Sequence, residues 1–346
     1  MKRVVHIIAS KGMGGMEIHL ITLCNALAGQ YQITVVAPSW MVGRFDASIT
    51  VVPFDGLLKS RFNLMTIFKL RRLLKKLNPD LVHVHGSKPA SLVTIPFLFR
   101  TFTRIATVHG IKKRIGLFRH FDHIIAVSAA VKKQILSDPR TRAASSKVTV
   151  ILNGVVCRPG SVMCGSRAAI RVPPAVLAIG RLAPVKGFDV LIEAWTGVKE
   201  ARLEIAGDGP DRESLEALIR KHNLQERVLL LGQRTDIPDL LAQSDLMVIS
   251  SRREGMPLVL AEALHAGCPV VSTAVGGMVG FLPESVLTHS EDPGALATRI
   301  NEALSDLPGY SKHLESLYRF ARTEMTVEAM ARKTADVYEQ VVESPC

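Results

Sequence analysis

The sequence lacks the long apolar segments and paired cysteines that are typical of membrane-spanning and secreted proteins. No run approaches the ~20 apolar residues of a spanning helix, because the longest candidate, residues 92–102, contains Pro96 and Arg100. The first residues of the sequence are basic, but the apolar stretch that follows them is shorter than the apolar region of a secretory signal. Residues 4–9 are therefore interpreted as a buried strand. The cysteines are odd in number and show no metal-ligand or redox-pair spacing, which predicts reduced thiols in a cytoplasmic protein: Cys24, Cys157, Cys164, Cys268 and Cys346.

Acidic residues are scarce in the first half of the chain. Residues 1–150 contain 23 Lys or Arg and 6 Asp or Glu, a net charge of +17, whereas the remainder carries −5. This imbalance indicates a partner such as nucleic acid, an anionic membrane surface or a polyanionic substrate. Aromatic residues make up only 5% of the chain, and the first half contains few rings for base stacking and no recognisable nucleic-acid-binding module. We therefore expect no nucleic-acid partner.

Short apolar runs alternate with helical patterns along the whole chain. At 346 residues, of which 47% are hydrophobic, the sequence is long enough for two domains with separate cores. Strands that are apolar on both faces and alternate with helices are typical of doubly wound parallel sheets. The predicted strands are 4–9, 33–37, 81–84, 105–108, 123–127, 148–152, 175–179, 202–206, 228–231, 246–250 and 270–273. Helices are predicted at 16–28, 67–77 and 129–136 and from near residues 188, 211, 237 and 257.

A segment rich in glycine and proline separates the two halves and favours a linker. The sequence thus predicts a first domain over residues 1–155, a linker over 156–174 and a second domain over 175–324. A long helical pattern over about 314–342 follows, and the C-terminal helix, about 325–346, is expected to return to the first domain. Two facing Rossmann-like domains place the carboxyl ends of both sheets around one cleft, where ligands of such sheets bind.

Two glutamates flank a predicted helix start in the second domain. Glu254 lies on the loop after a strand, Pro257 suits the first helical position, and Glu262 falls about two turns along the helix. The N-terminus of a helix attracts anions through its backbone N–H groups and its dipole. Carboxylates accept hydrogen bonds from vicinal hydroxyls, so a phosphate between the two acids suggests a sugar nucleotide.

A second loop, between a strand and a helix, carries two cations. Arg181 provides a planar guanidinium and Lys186 a point charge. Together they are suited to neutralise the charge that develops on a departing diphosphate, without a metal ion.

These motifs, in this order, resemble those of family 4 glycosyltransferases, which are retaining, nucleotide-sugar-dependent enzymes of the GT-B fold. The resemblance covers nearly the whole chain, and Met16 departs from the alanine that is commoner at its position. Besides the Arg181/Lys186 loop and the Glu-x7-Glu pair, the matching segments are Gly14-Gly15-Met16-Glu17, Asp80-Leu81-Val82-His83-Val84-His85, Thr107-Val108-His109-Gly110, Ala126-Val127-Ser128, Ile151-Leu152-Asn153-Gly154-Val155 and Gly207-Asp208-Gly209-Pro210.

The resemblance implies a role for each matching position. Glu254 matches the acid that contacts the donor sugar, and Glu262 matches the acid that holds the ribose. Arg181 and Lys186 match the pair on the donor diphosphate, and His109 matches a histidine that reaches the donor sugar from the first domain. Since the two cations replace a divalent ion, no metal or other cofactor is expected. The remaining donor-binding candidates are Gly14, Gly15, Gln233, Arg234, Met256, Pro257 and Leu258.

Simpler explanations exist for several of these residues. One of the two glutamates could simply stabilise the start of the helix while the other is a solvated surface residue. The two loop cations could simply be exposed surface residues. Gly14-Gly15 is equally consistent with a tight turn between a strand and a helix. His83 and His85 point to the same side of a strand, but no third ligand lies at a convincing spacing. They are therefore interpreted as core or acceptor-pocket residues, and no metal site is predicted.

Residues 59–77 combine a core stripe with a second, unusual face. At 100° per residue the stripe comprises Ile67, Leu70, Leu73, Leu74 and Leu77. On the other side, Leu64, Met65 and Phe68 lie among cations, which fits a helix on an anionic membrane surface; a solvated basic face is the alternative. The candidate membrane-contacting residues are Lys59, Arg61, Phe68, Arg71, Arg72, Lys75 and Lys76, and a similar patch follows with Lys112, Lys113, Arg114, Ile115, Leu117, Phe118 and Arg119.

Together these features predict a retaining hexosyltransferase at the cytoplasmic face of a membrane. Its donor would be a UDP-, GDP- or ADP-sugar, and its acceptor a hydroxyl of a lipid-linked or cell-envelope glycan, as in lipopolysaccharide, capsule or exopolysaccharide assembly. Two alternatives stay open. One is a nucleotide-sugar epimerase or hydrolase of related fold, and the other is a non-catalytic sugar-nucleotide-binding protein.

Overall fold

The computed structural model describes residues 1–60, 63–95, 99, 101–111, 115–141, 145–156 and 172–343. The chain forms two compact units, one of Met1–Gly154 with Val327–Cys346 and the other of Val155–Thr326. Residues 157–171 of the predicted linker lie outside the described residues, as do Arg61, the cations at 112–114 and the cysteines at 157, 164 and 346.

The first unit is built on a parallel sheet of seven strands in the order β3-β2-β1-β4-β5-β6-β7. Consecutive strands run in the same direction because helices carry the chain back across the sheet. The strands are β1 (Arg3–Ile8), β2 (Gln32–Ala37), β3 (Thr50–Pro53), β4 (Leu81–His85), β5 (Arg104–Val108), β6 (His123–Ala126) and β7 (Val148–Val150), and the helices between them are α1 (Gly15–Leu27), α2 (Leu64–Leu77), α3 (Ser87–Val93) and α4 (Ala129–Ser137).

The second unit contains a six-stranded parallel sheet in the order β10-β9-β8-β11-β12-β13. Its strands are β8 (Ala175–Ile179), β9 (Arg202–Ala206), β10 (Val228–Gly232), β11 (Leu246–Ile249), β12 (Val270–Thr273) and β13 (Leu287–Thr288). Its helices are α5 (Phe188–Ala194), α6 (Arg212–Lys221), α7 (Ile237–Gln243), α8 (Leu258–His265), α9 (Pro293–Ser305), α10 (Leu307–Lys312) and α11 (Glu315–Glu324). The predicted fold class, with two doubly wound parallel sheets, is confirmed.

The helical pattern over 314–342 is not one continuous helix. The structure has α11 and a separate helix, α12 (Val327–Glu343), with Met325 and Thr326 between them. The break arises because the backbone of Val155 pairs with this segment: its N–H donates to the Met325 carbonyl at 3.0 Å, and it forms a parallel bridge with Thr326. Helix α12 then joins the core of the first unit, where Met330, Val337 and Tyr338 pack with the apolar face of α1.

Candidate functional site

The loops that follow β8 and β11 meet at the carboxyl edge of the second sheet. Ser250 Oγ donates to the carbonyl of Lys186 at 3.0 Å, and the Arg252 N–H donates to the carbonyl of Val185 at 2.9 Å. These strands are neighbours in the sheet, so their loops emerge side by side. The two predicted motifs are thereby joined by one side-chain and one backbone hydrogen bond.

Lys186 and Glu254 form an ion pair within this junction. The Lys186 Nζ lies 2.7 Å from Glu254 Oε1, and the side chains are only 22% and 13% exposed. Ser251 Oγ donates to the same carboxylate oxygen at 2.7 Å. Reduced exposure to water strengthens such charge-assisted hydrogen bonds and fixes the carboxylate in place. The structure thus brings together two of the residues that the sequence predicted to act on one ligand.

Two glycines allow the loops to approach this closely. Gly187 has φ +64°, and a Cβ there would lie 2.2 Å from the carbonyl oxygen of Ser250. Gly276 has φ +53°, and a Cβ there would lie 1.8 Å from the carbonyl oxygen of Glu254. Any larger residue at either position would push apart the backbones that hold the ion pair.

Arg252 is a structural cation of the site that the sequence motifs did not reveal. Its guanidinium binds both carboxylate oxygens of Asp189 at 2.8 Å and also contacts Glu291 and the Pro184 carbonyl. Burial opposes ionisation of Asp189, but the hydrogen bonds and charge of Arg252 lower its pKa overall. Arg252 therefore locks the start of α5 onto the loop that carries Glu254. Its only sequence signal is its position two residues before Glu254.

Glu262 lies on α8, the helix that follows the loop of Glu254. Burial raises the pKa of its carboxyl from the ordinary 4.5 to about 7. Helix α8 begins at Leu258, so Pro257 is its N-cap and not its first helical residue as predicted; within the described part of the chain no side chain caps it. The difference arises because Pro257 has ψ 141°, which is extended. Gly267, with φ +65°, follows Ala266, the C-cap residue of the helix.

Of the other predicted site residues of the second unit, Met256, Pro257 and Leu258 are buried, whereas three on the remaining loops are exposed. Arg181 lies two residues after the end of β8 and has an exposed side chain. Gln233 and Arg234 follow β10, the edge strand of the sheet, and both are exposed. Arg234 binds the carboxylate of Asp236 at 2.8 and 2.5 Å. The structure therefore pairs Arg234 with a neighbouring acid, two strands from the Lys186/Glu254 ion pair.

In the first unit, Gly14 and Gly15 form the start of α1 over a buried acid. Gly14 is the N-cap of the helix, and a Cβ there would lie 3.1 Å from the Glu17 carboxylate. Burial raises the pKa of Glu17, while a hydrogen bond from Ser10 lowers it in part. The absence of a side chain at Gly14 therefore makes room for this carboxyl, which the sequence motif included but gave no role.

His109 follows β5 and belongs to a network of five histidines, named here the histidine cluster: His6, His19, His83, His85 and His109. His85 Nδ1 lies 3.3 Å from His109 Nε2, and its Nε2 lies 3.0 Å from His6 Nδ1. His83 bonds the Tyr338 hydroxyl at 2.6 Å and Thr107 Oγ1 at 2.7 Å. Burial lowers the pKa of His6 to about 3 and that of His19 to about 4, so both rings are neutral at pH 7.

Although no third ligand lies at a convincing spacing along the sequence, the structure brings nitrogens of further histidines close to those of His83 and His85. His6 pairs in register with His83 because β1 and β4 are adjacent strands. His19 lies on α1, which packs beside them. The sequence reading missed both His6 and His19, since parallel pairing and helix packing, not spacing along the chain, bring them here.

Helix α2 exposes the apolar trio that the sequence placed among cations. Leu64, Met65 and Phe68 are 66%, 64% and 54% exposed. The inward face buries Ile67, Leu70 and Leu74 as predicted, while Leu73 and Leu77 are only partly buried. Asn63 fixes the helix start by accepting the Thr66 N–H at 2.9 Å. Lys59, Arg72, Lys75 and Lys76 are exposed and Arg71 is partly buried, whereas Arg61 lies outside the described residues.

Across the described residues, the helices are all too short or too polar to cross a membrane. This agrees with the absence of a long apolar run in the sequence.

Two family models match adjoining parts of the chain. Residues 13–158 match the one described as Glycosyltransferase Family 4, and residues 169–323 match the one described as Glycosyl transferases group 1.

Named proteins resemble the chain over most of its length. The lipopolysaccharide core biosynthesis glycosyltransferase LpsD of Rhizobium meliloti (strain 1021) is 27% identical over 290 residues, which cover 81% of this chain and 79% of LpsD. The phosphatidylinositol N-acetylglucosaminyltransferase GPI3 subunit of Saccharomyces cerevisiae (strain RM11-1a) is 24% identical over 366 aligned positions, covering 95% of this chain and 80% of the subunit. The crystal structure of Anabaena Alr3699/HepE in complex with UDP-glucose superposes with a TM-score of 0.82 at 20% identity, covering 98% of this chain and 100% of that one. The two-unit fold is shared with HepE.

Proposed function

The chain belongs to the family 4 glycosyltransferases of the GT-B fold, and on that premise we propose that it transfers a hexose, with retention of anomeric configuration, from a nucleoside diphosphate sugar to a hydroxyl of a lipid-linked or cell-envelope glycan. The observation that carries the donor half of this proposal is the shielded Lys186–Glu254 ion pair. The named relatives support the acceptor half.

Lys186 and Glu254 have complementary roles in this proposal. The donor diphosphate displaces Glu254 as the partner of the Lys186 ammonium, and the freed carboxylate accepts hydrogen bonds from the hydroxyls of the hexose. When the bond between the anomeric carbon and the diphosphate oxygen breaks, the diphosphate takes the electron pair. Lys186 and Arg181 then neutralise its added charge.

Retention follows if the incoming hydroxyl attacks from the face that the diphosphate leaves. An oxygen of the departing diphosphate accepts the proton of that hydroxyl, so no protein base is assigned. Glu254 stabilises the positive charge of the oxocarbenium-like sugar through space, and His109 keeps its proposed role as a contact of the donor sugar. Because the cations meet the charge of the leaving group, we propose that no metal ion is required.

Glu262 and the start of α8 complete the donor site in this proposal. The carboxylate accepts hydrogen bonds from the ribose hydroxyls, and the helix N-terminus faces the phosphates together with Met256, Pro257 and Leu258. The solved complex of HepE, which has the same fold, contains UDP-glucose. We therefore favour UDP-sugars as the first donors to test.

The acceptor is proposed from charge and from the relatives. LpsD is named for lipopolysaccharide core biosynthesis, and the GPI3 subunit for transfer to phosphatidylinositol. The net charge of +17 in residues 1–150 suits an acceptor that carries phosphate or lies among anionic lipids. The apolar trio of α2 would insert at such a surface, so we propose a protein that binds the inner face of the membrane peripherally.

Donor turnover without acceptor tests the proposal. Purified protein is incubated with UDP-, GDP- and ADP-sugars, with and without chelator, and nucleoside diphosphate release is measured beside Glu254→Ala. We expect one donor to be hydrolysed slowly, equally well in chelator, and Glu254→Ala to be slower by ~10²–10³, the usual loss for an electrostatic catalytic group.

Glu193→Ala, an exposed glutamate on α5, is the matched control and should keep the normal rate. A normal rate in a folded Glu254→Ala would contradict the assignment. Accumulation of an epimer of the nucleotide sugar would instead indicate an epimerase. Release of free sugar at a rate that no added acceptor extract changes would indicate a hydrolase. Tight binding without turnover in any condition would indicate a sugar-nucleotide-binding protein.

A further inference from the structure

Three residues of the histidine cluster each bring one ring nitrogen toward a common point. His85 ends β4, His109 follows β5, and His19 lies on α1. One nitrogen of each lies within 4.8 Å of the other two. We propose that His19, His85 and His109 form a binding site for a divalent transition-metal ion of the Zn²⁺, Ni²⁺ or Cu²⁺ class.

His19 has a buried nitrogen that is available for a metal ion. Its Nδ1 lies 3.0 Å from Asn153 Oδ1, so Nδ1 carries the proton that it donates and Nε2 carries a lone pair. The residue is 3% exposed, and within the described residues its Nε2 has no hydrogen-bond partner. A buried unpaired acceptor is unfavourable, and a metal ion would satisfy it. The contact with Asn153 also resembles the outer-shell hydrogen bonds that orient metal-binding histidines.

The spacing of the other two nitrogens suits a tetrahedral ion. His85 Nδ1 and His109 Nε2 are 3.3 Å apart. Two nitrogens that each lie about 2.0–2.1 Å from a tetrahedral Zn²⁺ are separated by about 3.3–3.4 Å. Binding therefore leaves this pair nearly in place and draws the His19 ring toward it.

A second trio, His6, His83 and His85, is equally compact but has its nitrogens committed elsewhere. His83 uses both nitrogens, on Tyr338 and Thr107, and His6 Nε2 lies 3.4 Å from the Tyr338 hydroxyl. This trio instead supports the proposed site. With its Nδ1 on the metal, His85 donates its Nε2–H to His6 Nδ1, and His6 donates in turn to the Tyr338 oxygen.

The ligand set defines the class of ion. Three neutral imidazoles favour Zn²⁺, Ni²⁺ or Cu²⁺, whereas Mg²⁺ and Ca²⁺ require oxygen ligands. His109 is only partly buried and gives the ion a route from solvent. A second consequence rests on the proposed function: an ion that holds His109 removes it from the donor sugar, so Zn²⁺ would inhibit transfer reversibly.

Metal titration of the chelator-treated full-length protein tests the site. Zn²⁺ binding is followed by calorimetry, and Co²⁺ binding by its visible absorption in a tetrahedral nitrogen site. We expect one high-affinity ion per chain. Removing an outer-shell partner typically lowers metal affinity by ~10–100-fold, and Asn153→Ala should lower Zn²⁺ affinity by a factor in that range. His19→Ala and His109→Ala should each lower Zn²⁺ affinity by more than this. His289→Ala, an exposed histidine of the second unit, is the control and should bind normally.

Circular dichroism confirms that each variant is folded, and the partly exposed His109 keeps the test valid if His19→Ala does not fold. Equal Zn²⁺ affinity in wild type and folded His109→Ala would overturn the site. Wild-type protein that binds no Zn²⁺ would also overturn it while leaving the proposed transfer reaction untouched. Conversely, protein that binds Zn²⁺ at this site but never turns over a nucleotide sugar would refute the proposed function alone.

Discussion

Replacing Glu262 by glutamine should make the protein more stable at high pH. The folded protein keeps the Glu262 proton up to a pKa of about 7, whereas an unfolded chain releases it near 4.5. Between these values the folded state binds more protons than the unfolded state, so wild-type stability falls as the pH rises. Glutamine does not titrate, and the variant lacks this loss.

The structure sets the size of the effect. A shift from 4.5 to about 7 corresponds at most to ~3.4 kcal/mol, at about 1.4 kcal/mol per pKa unit. Glu262 is partly exposed, and solvent screening reduces this figure to about 1–2 kcal/mol. For a domain of 150–250 residues that change moves the melting temperature by about 2–8 °C. The difference between Glu262→Gln and wild type should therefore grow by this amount from pH 5 to pH 8.

Melting temperatures of both proteins at intervals of half a pH unit measure the effect. Glu193→Gln removes the same charge from an exposed site on α5 and serves as the control, whose curve should run parallel to wild type. Donor affinity adds a second readout, because ribose hydroxyls bind the ionised carboxylate best and should tighten wild-type binding as the pH rises through 7. Parallel melting curves for Glu262→Gln and wild type would refute the reasoning.

Two further variants test the site loop and the exposed face of α2. Gly276→Ala should lower both stability and donor turnover, because its Cβ would lie 1.8 Å from the Glu254 carbonyl oxygen. Gly280→Ala, at φ +78° with open space around it, controls for backbone strain alone. Equal melting temperatures for the Gly276→Ala and Gly280→Ala variants would contradict the steric argument. Wild-type protein should pellet with anionic but not neutral vesicles, and Phe68→Ser should weaken this binding while Leu229→Ser, similarly exposed in the second unit, does not. Equal recovery of wild type in both supernatants would exclude the membrane contact.

Strands in the interior of the sheets were predictable from sequence because most of their residues are buried. The bounds of β8, β9 and β12 match the prediction to the residue. Strand β3 was missed because it is a half-exposed edge strand of four residues that ends in Pro53, and β13 because it has only two residues. Such strands contain too few apolar positions to be distinguished from loops.

Contacts between distant segments were harder to predict. The Glu254 and Lys186 loops were identified because each follows a strong strand, and the sheet order then explains why they meet. The sequence did not predict that the five histidines form one cluster, because they come from α1, β1, β4 and the residue after β5. The break after α11 was missed for the same reason, since its cause is Val155, which lies far away in sequence.

The return of α12 to the first unit determines the order in which the protein can mature during synthesis. The second unit is an insertion in the first, and its first and last residues, Val155 and Thr326, pair with each other. On the ribosome, the first sheet emerges complete but without the helix that covers Leu20 and Leu23 and that presents the Tyr338 hydroxyl to His83. The inserted unit precedes α12 in the chain, so the first unit stays partly uncovered until α12 has been made.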